Sequence, residues 1–322
     1  MSRKLMSILL ALLLLSGCGF GTQLSERAVA QVLAIDREGD GYRVSFVEAS
    51  DPVSGKGETI ADAVSALEQD LGKKLFLRDV RLILLGETLC DDGIEACMRY
   101  LTGGFSIRPR AMLAAVQGTA AQYLSAADKV SEVLQRPGNN MTILALDRDS
   151  RASGGDGYLP LLTMDAHTPH GGIILRHEKT SCRVWQEAAD DMKLLLREAD
   201  GETMVLTLDD GQAVIRFADH KKHLRARRGA DTPTFDLFWR GTFELVEWTG
   251  KADSLPDEET LEKAVELAVT KRLENALRTT VFIAEADLLQ LQSVLRRDGY
   301  EGEYDPKASV FYPSVRCRLR SR

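Results

Sequence analysis

Apolar positions along the chain fall into two rhythms, one of period two and one of helical period. Val29 to Ile35 is apolar apart from Gln31, and Tyr42, Val44 and Phe46 then alternate with Arg43, Ser45 and Val47. Between them DREGDG, Asp36 to Gly41, supplies turn residues, so the stretch predicts two strands and a tight turn. Ile60, Ala63, Val64, Leu67 and Leu71 recur at helical spacing behind Thr59, a capping residue. VRLILLGE, Val80 to Glu87, predicts a strand apolar enough for the centre of a sheet. Asp91 or Asp92 is expected to cap a helix with Ile94, Cys97, Met98 and Leu101 inward. PRAMLAAV predicts a further strand, and TAAQYLSAAD a further helix capped by Thr119. Alternating strands and helices imply an α/β or α+β arrangement here.

From Arg136 to His170 the rhythm breaks. RPGNN, RASGGDGYLP and HTPHGG are rich in turn residues and predict a connecting region. Two strands and a short helix follow, read as a small middle module. TMVLTLDDGQAVIRF predicts a hairpin over Asp209-Asp210-Gly211, and FDLFWRGTFELVEW one or two strands. From Pro256 a long helix is expected, with Leu261, Val265, Leu267, Ala268, Leu273, Ala276 and Leu277 apolar and Asp257, Glu258 and Glu259 suited to its amino-terminal dipole. A second helix is expected over Ala284–Arg297. SVFYPSVRCRL predicts a last strand, which Pro313 places at a sheet edge.

The amino terminus follows neither rhythm. Arg3 and Lys4 precede an apolar run from Leu5 to Leu15 broken only by Ser7, the length of a signal-peptide core and too short to span a bilayer. Leu15-Ser16-Gly17-Cys18 resembles the bacterial lipobox, in which the cysteine sulfur takes a diacylglyceryl group and becomes the first residue after cleavage. That reading makes Cys18 a membrane anchor, with the rest of the chain outside the cytoplasm. It leaves 322 − 17 = 305 residues, enough for two or three domains. The formal charge of −7 becomes −7 − 2 = −9 without Arg3 and Lys4, which gives no general attraction for nucleic acid. Cys90, Cys97, Cys182 and Cys317 match no zinc or redox spacing and are expected as small buried thiols. If Cys90 and Cys97 share one helix they lie about 10 Å apart along it, too far for a disulfide.

No constellation supports catalysis. Asp36, Glu38, Asp40 and Gly41 open like a calcium loop, but the twelfth position is Val47 and the flanks read as strands, so a hairpin turn is expected. His167, His170 and His177 cluster in a loop-like stretch with no well-placed carboxylate, and His220 and His223 stand further on; no metal or cofactor is expected. GxSxG, P-loop and GxGxxG patterns are absent from the sequence. HKKHLRARR is the dense basic run. It reads as a solvated loop, or, through Lys221, Lys222, Arg225, Arg227 and Arg228, as a contact for lipid headgroups or an acidic partner. Trp185, Trp239 and Trp248 are expected in core or edge packing.

Taken in order, several segments resemble the Ger(x)C family, the lipoprotein C subunit of bacterial spore nutrient-germinant receptors. They are the lipobox Cys18; LAIDREGDGYRVSF, with its Ile-Asp pair; GKGETIADAVSALEQDLGKKLFLRDVRLILLGETL, with its Lys-Leu-Phe segment and Gly-Glu end; GTAAQYL; and RTTVFIAEADLLQLQSVLRR, with an Asp before an apolar pair. The likeness is fuller over Cys18 to Ala127 and a matter of pattern after Glu202. Gly19-Phe20 follows Cys18 where the family has Trp-Asp. The resemblance implies a non-enzymatic, multi-domain α+β protein with mixed β-sheets flanked by helices, membrane-tethered through an amino-terminal lipid on the outer face of the spore inner membrane. Its implied partners are the bilayer and integral membrane receptor subunits of A and B type. The expected division is a signal peptide at 1–17, an amino-terminal α/β domain at 18–165 ending in the connector, a middle module at 166–205 and a carboxy-terminal α+β domain at 206–322. The rival readings are a lipid-anchored solute-binding protein of a transporter, against which the small middle module and late helices argue, and an envelope hydrolase.

Overall fold

A computed structural model describes residues 27–320 apart from 105–106, 136–140, 164–165, 186, 197–200, 252–254, 301 and 303. The signal segment, the lipobox and the RPGNN turn therefore lie outside the described residues. In chain order come β1 (Arg27–Val29), β2 (Val32–Glu38), β3 (Gly41–Glu48), β4 (Asp51–Gly57), α1 (Ile60–Leu71), β5 (Lys74–Phe76), β6 (Leu82–Leu85), α2 (Glu87–Asp92), α3 (Glu95–Gly103) and β7 (Met112–Val116). A 3₁₀ segment, Ala120–Ala126, leads into α4 (Ala127–Leu134), followed by α5 (Ile143–Ala152), β8 (Gly157–Thr163), β9 (Ala166–Arg176), β10 (Lys179–Trp185) and α6 (Glu187–Leu196). The rest comprises β11 (Thr203–Leu208), β12 (Gly211–Ala226), β13 (Thr234–Trp248), α7 (Glu258–Leu277), α8 (Leu291–Arg297) and β14 (Val310–Leu319).

Eight strands form one sheet in the order β10-β9-β8-β7-β6-β2-β3-β4. Its centre, β2, β6, β7 and β8, is parallel. Leu33, Ile35, Ile83, Leu85 and Leu113 bury one face under α1 and α3. Ala34, Leu82, Leu84 and Ala114 bury the other beneath Tyr123 and Leu124 of the 3₁₀ segment and Val130 of α4. Burial on both faces is why Leu82–Leu85 shows no polar alternation. Thr59 and Asp62 form a reciprocal capping box on α1, and Ile60, Ala63, Val64 and Leu67 are buried, as the spacing predicts. The β2–β3 turn is a tight hairpin, with Glu38 opposite Gly41 and Gly39 at φ +57°.

A second sheet runs β11-β12-β13-β14. Its inner face, Phe235, Leu237, Trp239 and Phe243, packs on the α7 stripe Leu261, Val265, Val269 and Leu273. Asp257 caps α7 by accepting the Thr260 N–H. β14 is an edge strand, as Pro313 predicts. Its Cys317 and Leu319 N–H groups donate to Glu266 and Glu262 of α7, which closes much of that edge to other chains.

Several expectations are corrected. Residues 136–170 are no mere connector, because 143–152 is helical and β8 is an inner strand. Pro160 hid that strand; it pairs only with Gly172 of β9, and pairing with β7 begins at Leu161. The segment 166–205 is shared out rather than packed as its own module. β9 and β10 extend the large sheet, while Ile174, Val184 and α6 join the core of the second sheet. Asp91 and Asp92 close α2 instead of capping α3, since Gly93 at φ +128° breaks the chain between them. Cys90 and Cys97 thus sit on successive helices. Leu267 is 74% exposed, on the side of α7 opposite its buried stripe. Only Leu291–Arg297 of the expected Ala284–Arg297 helix is helical.

Candidate functional site

HKKHLRARR is a strand, not a loop: it occupies the second half of β12 and runs just past its end. Lys221 and Arg225 are exposed on the outer face of the second sheet. Lys222 points the other way, and its Nζ donates to the Leu195 carbonyl at the end of α6. Arg227 grips Asp236 through Nε and Nη2 and lies 4.0 Å from the Tyr312 ring centroid. Arg228 Nε donates to the Asp298 carbonyl at 2.9 Å. The five basic residues therefore divide. Two face solvent on the outer face, and three are held by groups of the chain itself.

Sheet pairing brings in cations that the linear run does not contain. Arg240 of β13 lies directly opposite Lys221, and Arg316 of β14 directly opposite Arg240. Arg318 is the next outward residue along β14. The alternation of β13 and β14 signals that these residues face out; their register against β12 is not readable from the sequence.

A second group gathers at the carboxyl ends of the parallel strands, where α/β sheets place ligands. Asp36 leaves β2 there and is buried. Its Oδ1 accepts the Ala120 N–H at 2.6 Å and its Oδ2 the Ala121 N–H at 3.2 Å. Asp36, not Thr119, thus caps the 3₁₀ segment, 84 residues downstream. Burial pushes its carboxyl above the usual range, opposed by those two N–H groups. Gly86 leaves β6 beside it, and a Cβ there would sit 2.1 Å from Asp36 Oδ1. Glu87 Oε2 accepts the Gly118 N–H at 2.9 Å, and Arg183 bridges Glu87 and Asp91. The Ile-Asp, Gly-Glu and GTAAQYL segments thus meet in space, and their carboxylates bind the chain's own donors. The arrangement is a clasp.

A third group joins the two cores. Asp156 is buried and accepts the N–H groups of His177 at 2.9 Å and Asp287 at 2.7 Å. Asp287 in turn accepts the Leu291 and Gln292 N–H groups, so it starts α8. Burial, with a smaller push from Asp156, raises Asp287 to about 6. The folded chain therefore binds this proton up to about pH 6, whereas the unfolded chain releases it near 3.8. Stability should fall as pH rises through that window, by roughly 2 kcal/mol from this group. Urea unfolding at pH 4.5 and 7 checks this: Asp287→Asn should lose that part of the pH dependence, and an unchanged dependence would contradict it.

The remaining residues are structural. Cys90, Cys97 and Cys317 are buried free thiols and Cys182 is half-buried; burial pushes Cys97 and Cys317 up to about 12. Trp239 is fully buried, while Trp185 is 44% exposed. His220 stacks on Trp239 and His223 on Phe238. His177 is exposed, and the side chains of His167 and His170 lie outside the described residues. Among the described residues no group of three or more His, Cys, Asp or Glu side chains is placed to hold a metal, and no helix is long and apolar enough to cross a membrane.

Comparison with known proteins gives three matches. Residues 21–164 match the family model described as the spore germination protein N-terminal domain. The putative spore germination protein YfkR of Bacillus subtilis (strain 168) is 23% identical over 192 residues, which is 51% of this chain and 50% of that protein. The match thus spans half the length of this curated relative. The crystal structure of the GerBC protein superposes with a TM-score of 0.58, covering 90% of this chain and 97% of that one at 14% identity, which shows a shared mixed α+β fold.

Proposed function

Because the chain belongs to the Ger(x)C family of spore germination proteins, we propose that it is the lipid-anchored C subunit of a nutrient-germinant receptor. The observation that carries this reading is the family match over residues 21–164. Cleavage after Gly17 leaves Cys18 as the first residue, acylated and inserted in the outer face of the spore inner membrane. Arg27 follows 27 − 18 = 9 residues later, so the folded body starts within about 30 Å of the bilayer. Two or more acyl chains hold it there stably, where one is marginal. Confinement to that thin layer raises its effective concentration for integral membrane subunits of A and B type. Docking then acts by favouring one conformation of those partners. The role is non-enzymatic, and the clasp around Asp36 supports this, since its carboxylates are engaged by backbone donors rather than presented to a substrate.

Affinity purification of the tagged chain from detergent-solubilised spore membranes tests the reading. Two multi-spanning receptor subunits are expected to co-purify. Recovery of the chain with a transporter permease instead would favour the solute-binding alternative.

A further inference from the structure

On the outer face of the second sheet, the stretch from Lys221 to the end of β12 and the facing parts of β13 and β14 carry six cations, Lys221, Arg225, Arg227, Arg240, Arg316 and Arg318, in a chain whose formal charge is −7. Three carboxylates share the face: Asp236, which Arg227 holds and which lies opposite Arg225, Asp219 at one end, and Glu244 beyond it. Among the described residues the other five cations make no ion pair. Lys221, Arg240 and Arg316 stand in one cross-strand row, and neighbouring strands are only about 4.8 Å apart. Like charges directly opposite one another disfavour the sheet that bears them. Further along the same face such repulsion is met within the chain. Arg216 lies opposite Glu244, which also pairs with Arg320, and Arg227 is neutralised by Asp236. An unrelieved row therefore points to negative charge supplied from outside.

The face also has a second character. Phe238 and Tyr312 project outward among the cations, 37% and 48% exposed, and Arg227 lies over the Tyr312 ring. Rings with a polar surround sit favourably at the level of lipid headgroups. The cations are spread across three adjacent strands rather than gathered into a pocket, which suits a planar array of anions.

We infer that this sheet face docks on an anionic lipid surface, with Lys221, Arg225, Arg240, Arg316 and Arg318 against phospholipid headgroups. The inference rests on the proposed membrane tether. It deepens that reading by giving the anchored body an orientation, with the second sheet laid on the bilayer and the eight-stranded sheet carried beyond it.

Co-sedimentation of the mature chain, residues 18–322 bearing Cys18→Ala, with lipid vesicles tests this without acyl chains or signal segment. Binding is expected to vesicles holding 30% phosphatidylglycerol in phosphatidylcholine, to be much weaker with pure phosphatidylcholine, and to be lost in 500 mM salt. The triple variant R240Q/R316Q/R318Q should bind roughly a hundredfold more weakly, at about fivefold per charge. A control removing exposed cations elsewhere, R99Q/R110Q/K129Q, should bind like the parent. Thermal melting of R240Q/R316Q/R318Q should be no lower than the parent's, because repulsion has been relieved. Equal losses in both triple variants, or no preference for the anionic vesicles, would overturn the inference. So would a triple variant that binds vesicles normally yet fails to co-purify with receptor subunits, since the face would then serve an acidic protein. An unmodified Cys18 in spores would defeat the tether but leave these vesicle measurements unchanged, so the two failures are distinguishable.

Discussion

Asp36→Ala is expected to destabilise the protein by about 3 kcal/mol, because it strands the Ala120 and Ala121 N–H groups where water reaches them poorly. Asp36→Asn should cost less, since the amide oxygen still accepts one of the two. Gly86→Ala should cost a similar amount to Asp36→Ala for a linked reason. Its Cβ would lie 2.1 Å from Asp36 Oδ1, and the carboxylate cannot retreat without releasing the segment it caps. Outside Asp36 the nearest atom to that Cβ is the Ala120 nitrogen at 3.6 Å, an ordinary contact. Gly86→Ala should therefore be nearly free in an Asp36→Ala background. Urea unfolding of the two single variants and the double variant measures this. A coupling of about 2 to 3 kcal/mol is expected, and additive effects would contradict the clasp.

The second large effect is functional. Cys18→Ala should lower nutrient-triggered germination by roughly ten- to a hundredfold, because the chain then meets its membrane partners from solution rather than from a shared layer. Substitution of His177, His220 or His223 should change germination little. The measurement is the rate of nutrient-induced germination in spores carrying each variant, with chain abundance checked alongside. Normal germination in Cys18→Ala spores, with the protein released from membranes, would count against the tethered role.

The sequence was most legible where one local rule governs one element. Thr59 with Asp62, Asp257 with Thr260, the Glu38–Gly41 hairpin and Pro313 at the edge are each set by neighbours within a few positions. Legibility failed where a distant partner decides. Thr119 looks like the cap of its segment, yet Asp36 takes that role from across the sheet. Ala284–Gln290 has helical composition, but it is held as a junction: Asp156 takes the Asp287 N–H, Ser181 donates to the Ala284 carbonyl, and Arg176 pairs with Glu285. β8 was concealed by Gly157 and Pro160, and the end of β12 by its charges, which read as solvated coil. Of the basic surface, the linear run exposes only Lys221 and Arg225. Arg240, Arg316 and Arg318 join them through strand register, which no single segment encodes.

The tether at residue 18 is tested most directly by the mass of the amino-terminal peptide of the chain extracted from spore membranes. A peptide beginning at Cys18 and heavier than its residues by a diacylglyceryl group is expected, and it should be absent from a Cys18→Ala strain. A peptide that retains residues before Cys18, or that carries a free thiol there, in protein recovered without membranes, would contradict it.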